Sequence, residues 1–171
     1  YLQHGAGAGG DAALVEGPMF DPQPPSLTGY FPMPVRHGMT LGELARMFNA
    51  ENHLGADLTI VPMQGYRRDL WYEQTGLAWI NPSPTLRSVD EATLYGGVAL
   101  AEGANVSVGR GTGRPFEVMG APWIDGKALL ALLKARDVPG VRFERTKFIP
   151  KSDTYAGQAC QGVRIRLTDR T

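Results

Sequence analysis

The chain has 171 residues, 43% apolar and 20% charged, which excludes a disordered chain and makes one globular domain the natural expectation. Seventeen basic residues balance seventeen acidic ones, so nothing in the net charge supports a broad nucleic-acid surface. No run approaches the roughly 18 apolar residues of a membrane-spanning helix, and the single cysteine, Cys160, excludes a disulfide within the chain.

Taken in chain order, His4 to Ala13 is rich in glycine and alanine and reads as a flexible arm over 1–13. From Leu14 the patterning is globular, and 14–171 reads as one partial α/β domain. Leu14-Val15-Glu16-Gly17-Pro18 sets a carboxylate beside a turn pair, a weak signal by itself. Thr40-Leu41-Gly42-Glu43 matches a capping box, and Leu41, Leu44, Ala45 and Phe48 follow helical spacing, so a helix is expected over 41–51. Asp57 to Met63 reads as a strand. Ser88-Val89-Asp90-Glu91 is a second capping box, and its short helix is expected to stop at Gly96-Gly97. Val98 to Ala101 then reads as a strand that delivers Glu102 to its carboxyl end, the end where ligands bind in α/β folds. Asp125 caps a third helix, Gly126 to Arg136, whose Leu129, Leu130, Leu132 and Leu133 are expected to be buried on one side. Val141 and Phe143 open an alternating strand, and Val163, Ile165 and Leu167 alternate with polar residues in a last one. The fold class is therefore α/β, with a mixed sheet flanked by helices and long loops rich in glycine and proline.

The loop from Glu102 to Phe116 carries the densest chemistry. Gly103, Gly109, Gly111 and Gly113 allow close backbone approach, while Asn105, Ser107, Arg110 and Thr112 offer hydrogen bonds to a polar or anionic molecule. The same glycines and amide also serve ordinary turns. In Pro32 to Met39, Arg36 and His37 stand just ahead of a helix start, where anions are favoured. His37 is either an acid–base or hydrogen-bonding group for substrate, or an imidazole tied to nearby backbone. In Val61 to Tyr72, Tyr66, Trp71 and the later Trp79 offer flat faces to a sugar ring, and Arg67 or Arg68 can hold a carboxylate. The alternative for this segment is a structural ion pair with Asp69 and aromatics in the core. Cys160 reads as a buried residue in preference to a nucleophile. There is no Cys-x-x-Cys, His-Glu-x-x-His or Gly-x-Ser-x-Gly pattern, and no phosphate loop ending in Gly-Lys-Ser/Thr. No metal, no cofactor and no nucleic-acid partner is implied.

The ordered set Val15-Glu16-Gly17-Pro18, Pro34 to Leu44, Val61 to Asp69, Asn81-Pro82-Ser83-Pro84, Glu102 to Thr112, Gly120 to Asp125 and Gly162 to Arg170 resembles the YbbC/NamZ-like family of exo-β-N-acetylmuramidases, formerly a domain of unknown function. The resemblance covers about Leu14 to Arg170. It implies an enzyme that removes N-acetylmuramic acid from the non-reducing ends of peptidoglycan fragments. It also implies a cleft between an amino-terminal Rossmann-like domain and a smaller partner domain. The family's Gly-Pro-Glu-His-Gly segment has no counterpart here, and Ala104 stands where the family usually has threonine. The chain is therefore expected to be a partial one, inactive alone if an essential carboxylate lies in the absent part. On this basis Glu102 and His37 are the catalytic candidates, with Arg36, Tyr66, Arg67, Arg68, Asp69, Asn105, Ser107, Arg110 and Thr112 as substrate-binding ones. The expected partner is a muropeptide, met in the periplasm or outside the cell, with cytoplasmic recycling as the alternative. A non-catalytic carbohydrate or cell-wall binding module is the competing reading.

Overall fold

The structure is a computed structural model that describes residues 15–19 and 31–169. The glycine- and alanine-rich arm expected over 1–13 lies outside the described residues. The chain divides into two compact units, 1–78 and 79–171.

In the first unit, β1 (Glu16–Met19) pairs antiparallel with β2 (Pro34–Arg36), which sets Glu16 opposite Arg36 in the register. Helix α1 (Leu41–Glu51) has the expected bounds because its first turn is closed from both sides. The Thr40 hydroxyl accepts from the Glu43 amide at 3.3 Å, and the Glu43 carboxylate accepts from the Thr40 amide at 2.8 Å. Leu44 is fully buried, and Phe48 stacks on Phe31 with ring centroids 4.6 Å apart. Ile60 sits over Gly42, where an added Cβ would stand 2.7 Å from the Ile60 Cγ2.

The strand expected over 57–63 is not formed. Its residues are mostly exposed, Val61 at 85%. Apolar alternation marks a segment suited to a sheet, but a strand exists only when a neighbour takes its amides and carbonyls. No described strand lies beside this one. A short 3-10 turn follows at Tyr72–Thr75.

In the second unit, α2 runs over Val89–Val98 and continues into a 3-10 turn at Ala99–Gly103. The Ser88 hydroxyl accepts from the Glu91 amide at 3.1 Å, while the Glu91 carboxylate turns back to the Arg87 amide and guanidinium. The expected strand Val98 to Ala101 is therefore corrected to helix and turn. Gly96 and Gly97 face open space and cost the helix only about 1 kcal/mol each, too little to stop it. A four-residue apolar run does not by itself distinguish a strand from the end of a helix. Glu102 is thus delivered by a helical turn.

Three strands, β3 (Val118–Ala121), β4 (Val141–Phe148) and β5 (Cys160–Leu167), form an antiparallel sheet in the order β3-β5-β4. Helix α3 (Gly126–Ala135) packs on β4 and β5. The α/β class is as expected, but the expected mixed sheet is corrected: every strand pair among the described residues is antiparallel, because β5 lies between β3 and β4 and runs antiparallel to both. Gly120 faces Gly162 across β3 and β5, and a Cβ on Gly162 would stand 2.0 Å from the Met119 carbonyl oxygen. This close backbone approach also seats the start of α3, since a Cβ on Gly126 would come within 3.2 Å of the Gly162 amide. Val118, Ala121, Val163 and Ile165 form the core with Leu86, Leu94, Val108 and Phe116. Cys160 is buried, and burial pushes its thiol pKa up. The leucine face of α3 is only partly covered. Leu129, Leu130 and Leu133 are half-buried and Leu132 is 67% exposed, because the helix meets the sheet along one narrow side.

Several carboxyls are held below their ordinary pKa. Asp125 is lowered by the Ala128 and Lys127 amides it caps, and Glu144 chiefly by the Arg166 guanidinium. A depressed folded-state pKa contributes stability that is complete above the unfolded value and is lost as pH falls through the folded one. Unfolding in urea is therefore expected to show stability falling below about pH 4. Asp125→Asn keeps a capping oxygen and removes the titration, so it should flatten part of that slope. An unchanged slope in Asp125→Asn would remove the cap from this account.

Candidate functional site

The candidate residues fall into two clusters, one in each unit.

In the second unit, the loop after α2 is tied to the edge of the sheet. Ser107 and Gly120 exchange backbone hydrogen bonds at 2.8 and 2.9 Å, and Phe116 donates its amide to the Val108 carbonyl at 2.7 Å. Phe116 is fully buried at a φ of 63°, a left-handed conformation that a bulky residue adopts only when its surroundings hold it there. Its ring meets the edge of Tyr95 at 5.0 Å and carries the Arg110 guanidinium 5.0 Å from its centroid.

Arg110 is thereby aimed at Glu102. Its Nε donates to Glu102 Oε1, its Nη2 donates to Oε2 at 3.4 Å, and its Nη1 donates to the Thr85 hydroxyl at 3.0 Å. The pair is a two-pronged, charge-assisted contact that fixes the carboxylate in orientation. Glu102 and Arg110 line a cleft of about 250 Å³ together with Val106, Ser107, Val108, Asp153 and Thr154. Glu102 stays open to incoming ligand, with its side chain 34% exposed.

The remaining loop candidates divide in role. Ser107 is buried; its hydroxyl accepts from the Gly109 amide at 3.2 Å, so it shapes the loop as well as lining the cleft. Thr112 closes the loop: its hydroxyl donates to the Gly109 carbonyl at 2.6 Å and accepts from the Arg114 amide at 3.0 Å. Asn105 is exposed and uses its carbonyl to accept from Tyr155. Asp153 and Thr154 were not singled out from the sequence. Their only signal was a polar Lys-Ser-Asp-Thr turn between two strands. Asp153 has a φ of 71° and Tyr155 one of 63°, so this turn is strained at two residues where it meets the cleft.

In the first unit, His37 is buried at 7% exposure, and its Nδ1 accepts from the Met39 amide at 3.1 Å. The proton of the neutral ring is therefore on Nε2. Arg68 donates to the Gly38 carbonyl at 2.8 Å and to the Glu43 carboxylate, so the same glutamate caps α1 and anchors the arginine. The Thr40 amide is the main reason the Glu43 carboxyl titrates below the usual range, with Arg68 adding to it. Tyr66 lies near both charges. Its hydroxyl is buried with no hydrogen-bond partner among the described residues, and burial raises its pKa. Arg67 and Asp69 form an exposed pair at 3.1 Å, and the arginine lowers the Asp69 carboxyl. Arg36 ends β2, half-buried.

Comparison with known proteins places these clusters in a family. Residues 10–90 match the family model "Exo-beta-N-acetylmuramidase NamZ, N-terminal" and residues 93–171 match "Exo-beta-N-acetylmuramidase NamZ, C-terminal". The chain is 41% identical over 156 residues to the peptidoglycan beta-N-acetylmuramidase NamZ of Bacillus subtilis strain 168. That alignment covers 91% of this chain, which spans 38% of the relative's length. Crystal structures of two DUF1343 family proteins from Bacteroides fragilis are also similar. One matches with a TM-score of 0.82 at 32% identity, covering 95% of this chain and 42% of that one. The other matches with a TM-score of 0.72 at 32% identity, covering 94% of this chain and 42% of that one. Motifs, family models and fold agree: this chain belongs to the NamZ family of exo-β-N-acetylmuramidases.

Proposed function

We propose that the protein to which this chain belongs is a glycoside hydrolase that releases N-acetylmuramic acid from the non-reducing ends of peptidoglycan fragments. The observation that carries the reading is Glu102, forked by Arg110 at the rim of a polar cleft, in a chain matching both halves of the NamZ family. Glycoside cleavage turns on carboxyl groups flanking the scissile bond. A carboxylate held in one orientation by a guanidinium, with Thr85 fixing that guanidinium in turn, is suited to act on a sugar at the cleft. In this reading Glu102 acts at the glycosidic centre or hydrogen-bonds the sugar there, and His37, with its donor Nε2, is an acid–base or hydrogen-bonding group. In the second unit Asn105, Ser107, Arg110 and Thr112 bind substrate or shape the cleft, and in the first unit Arg36, Tyr66, Arg67, Arg68 and Asp69 are the substrate-binding candidates of their own cluster. A peptidoglycan substrate supports action in the periplasm or outside the cell, with cytoplasmic recycling as the alternative.

Muramic acid differs from glucosamine sugars by a lactyl carboxylate, so selectivity calls for a cation. Arg68 and Arg110 are engaged by partly buried carboxylates, whereas Arg67 holds Asp69 in an exposed pair, which is weak and readily exchanged. The full-length gene product is expected to hydrolyse a chromogenic β-N-acetylmuramide and to spare the matching N-acetylglucosaminide. Arg67→Ala should lower that selectivity about tenfold. Selectivity unchanged in both Arg67→Ala and Arg110→Ala would remove both arginines from substrate recognition. A folded protein that binds muropeptides without turnover would replace the enzyme reading by that of a binding module.

A further inference from the structure

Trp123 follows β3 and is 60% exposed, an indole presenting apolar surface to solvent. It is nevertheless held. Its Nε1 donates to the Tyr155 hydroxyl at 3.1 Å, and that hydroxyl donates onward to the Asn105 carbonyl at 2.9 Å. The two residues beyond the indole in this chain of bonds adjoin the cleft lining in sequence. Tyr155 follows the lining residues Asp153 and Thr154, and Asn105 precedes the lining residue Val106. The turn that carries Tyr155 keeps two non-glycine residues at positive φ, and it is anchored to the glycine-rich loop by the Lys151 amide, which donates to the Gly111 carbonyl at 2.9 Å. Strain of this kind persists where the surrounding structure fixes a functional geometry. An aromatic ring with one edge pinned through residues that adjoin a polar cleft, and with most of its surface exposed, is suited to lie against the apolar face of a pyranose.

We propose that Trp123, oriented by Tyr155, is the platform of a second carbohydrate subsite. It stacks on the sugar ring next along a glycan strand from the unit held in the cleft. The proposal rests on the carbohydrate reading of the cleft, and it explains why an indole is kept exposed and hydrogen-bonded at this point. Stacking adds affinity only for a ligand long enough to reach the ring, so it separates short ligands from long ones.

The test is calorimetric binding to the full-length gene product. The probes are N-acetylmuramic acid and a thio-linked tetrasaccharide of alternating N-acetylmuramic acid and N-acetylglucosamine, which resists hydrolysis. Trp123→Ala is expected to weaken the tetrasaccharide about tenfold and to leave the monosaccharide unchanged. Trp123→Phe, which keeps a ring, should stay within about threefold of the wild type, and Tyr155→Phe, which frees the ring, should fall between the two. Tetrasaccharide affinity unaltered in Trp123→Ala would overturn the subsite, as would an equal loss for both ligands or no binding of the tetrasaccharide by the wild type. Because the readout is binding, a protein that binds the tetrasaccharide through Trp123 without hydrolysing muramides retains the subsite and loses only the enzyme reading.

Discussion

Glu102→Gln in the full-length gene product is expected to lower kcat on a chromogenic β-N-acetylmuramide about 10²–10³-fold, with KM moving less than about threefold. The glutamine keeps the volume of the side chain and an oxygen for Arg110, and it removes the charge. Fold should survive, because the carboxylate is partly exposed and its partner retains the Thr85 hydroxyl and the Phe116 ring. Arg110→Lys probes the same pair from the other side. Lysine is a point charge and cannot fork a carboxylate, lie flat over Phe116 and reach Thr85 together. An intermediate loss of about 10–100-fold is expected for it. If Glu102→Gln keeps more than about a tenth of wild-type kcat, Glu102 is a ligand for the sugar and the chemistry belongs to another group.

Gly111→Ala is expected to destabilise the protein by about 2–4 kcal/mol. Two independent terms act at this residue. Its φ of 75° lies in the left-handed region. A Cβ there would also stand 2.4 Å from the Ser152 carbonyl oxygen and 2.6 Å from the Ser152 amide nitrogen. Those atoms are backbone, so neither can swing aside as a flexible side chain would. The relief available is to push the turn at 151–155 away from the loop, which moves Asp153 and Thr154 out of the cleft wall. Muropeptide binding should therefore weaken along with stability. Gly113 is the control: it has ordinary φ and open space around its Cβ position, so Gly113→Ala should stay within about 0.5 kcal/mol. The check is a urea titration with equal slopes for the variants and the wild type. Equal midpoints for Gly111→Ala and Gly113→Ala would show that the loop and the turn do not press on each other.

What could be read from the residues alone was local. Helix α1 was legible to its bounds because Thr40 and Glu43 cap each other within one turn, and α3 because Asp125 accepts from two amides just beyond it. The inward alternation of Val163 and Ile165 marked β5, and the ordered motifs carried the family. Glu102 and Arg110 were legible as residues of a ligand loop, though not as partners, since the guanidinium could have met Asp153 or a substrate anion with equal sense.

Contacts remote in sequence decided the rest. Whether 57–63 forms a strand depends on a neighbour that no alternation supplies, and whether 98–101 is strand or helix depends on the helix before it continuing through two exposed glycines. The cleft wall at Asp153 and Thr154, the Phe116 ring under Arg110, and the bond from Trp123 to Tyr155 each join segments tens of residues apart or turn on backbone angles that composition does not announce. Capping and periodicity are short-range and follow from the order of residues. The pairing of a charge, the strain of a turn and the exposure of an indole are set only when the chain has closed around them.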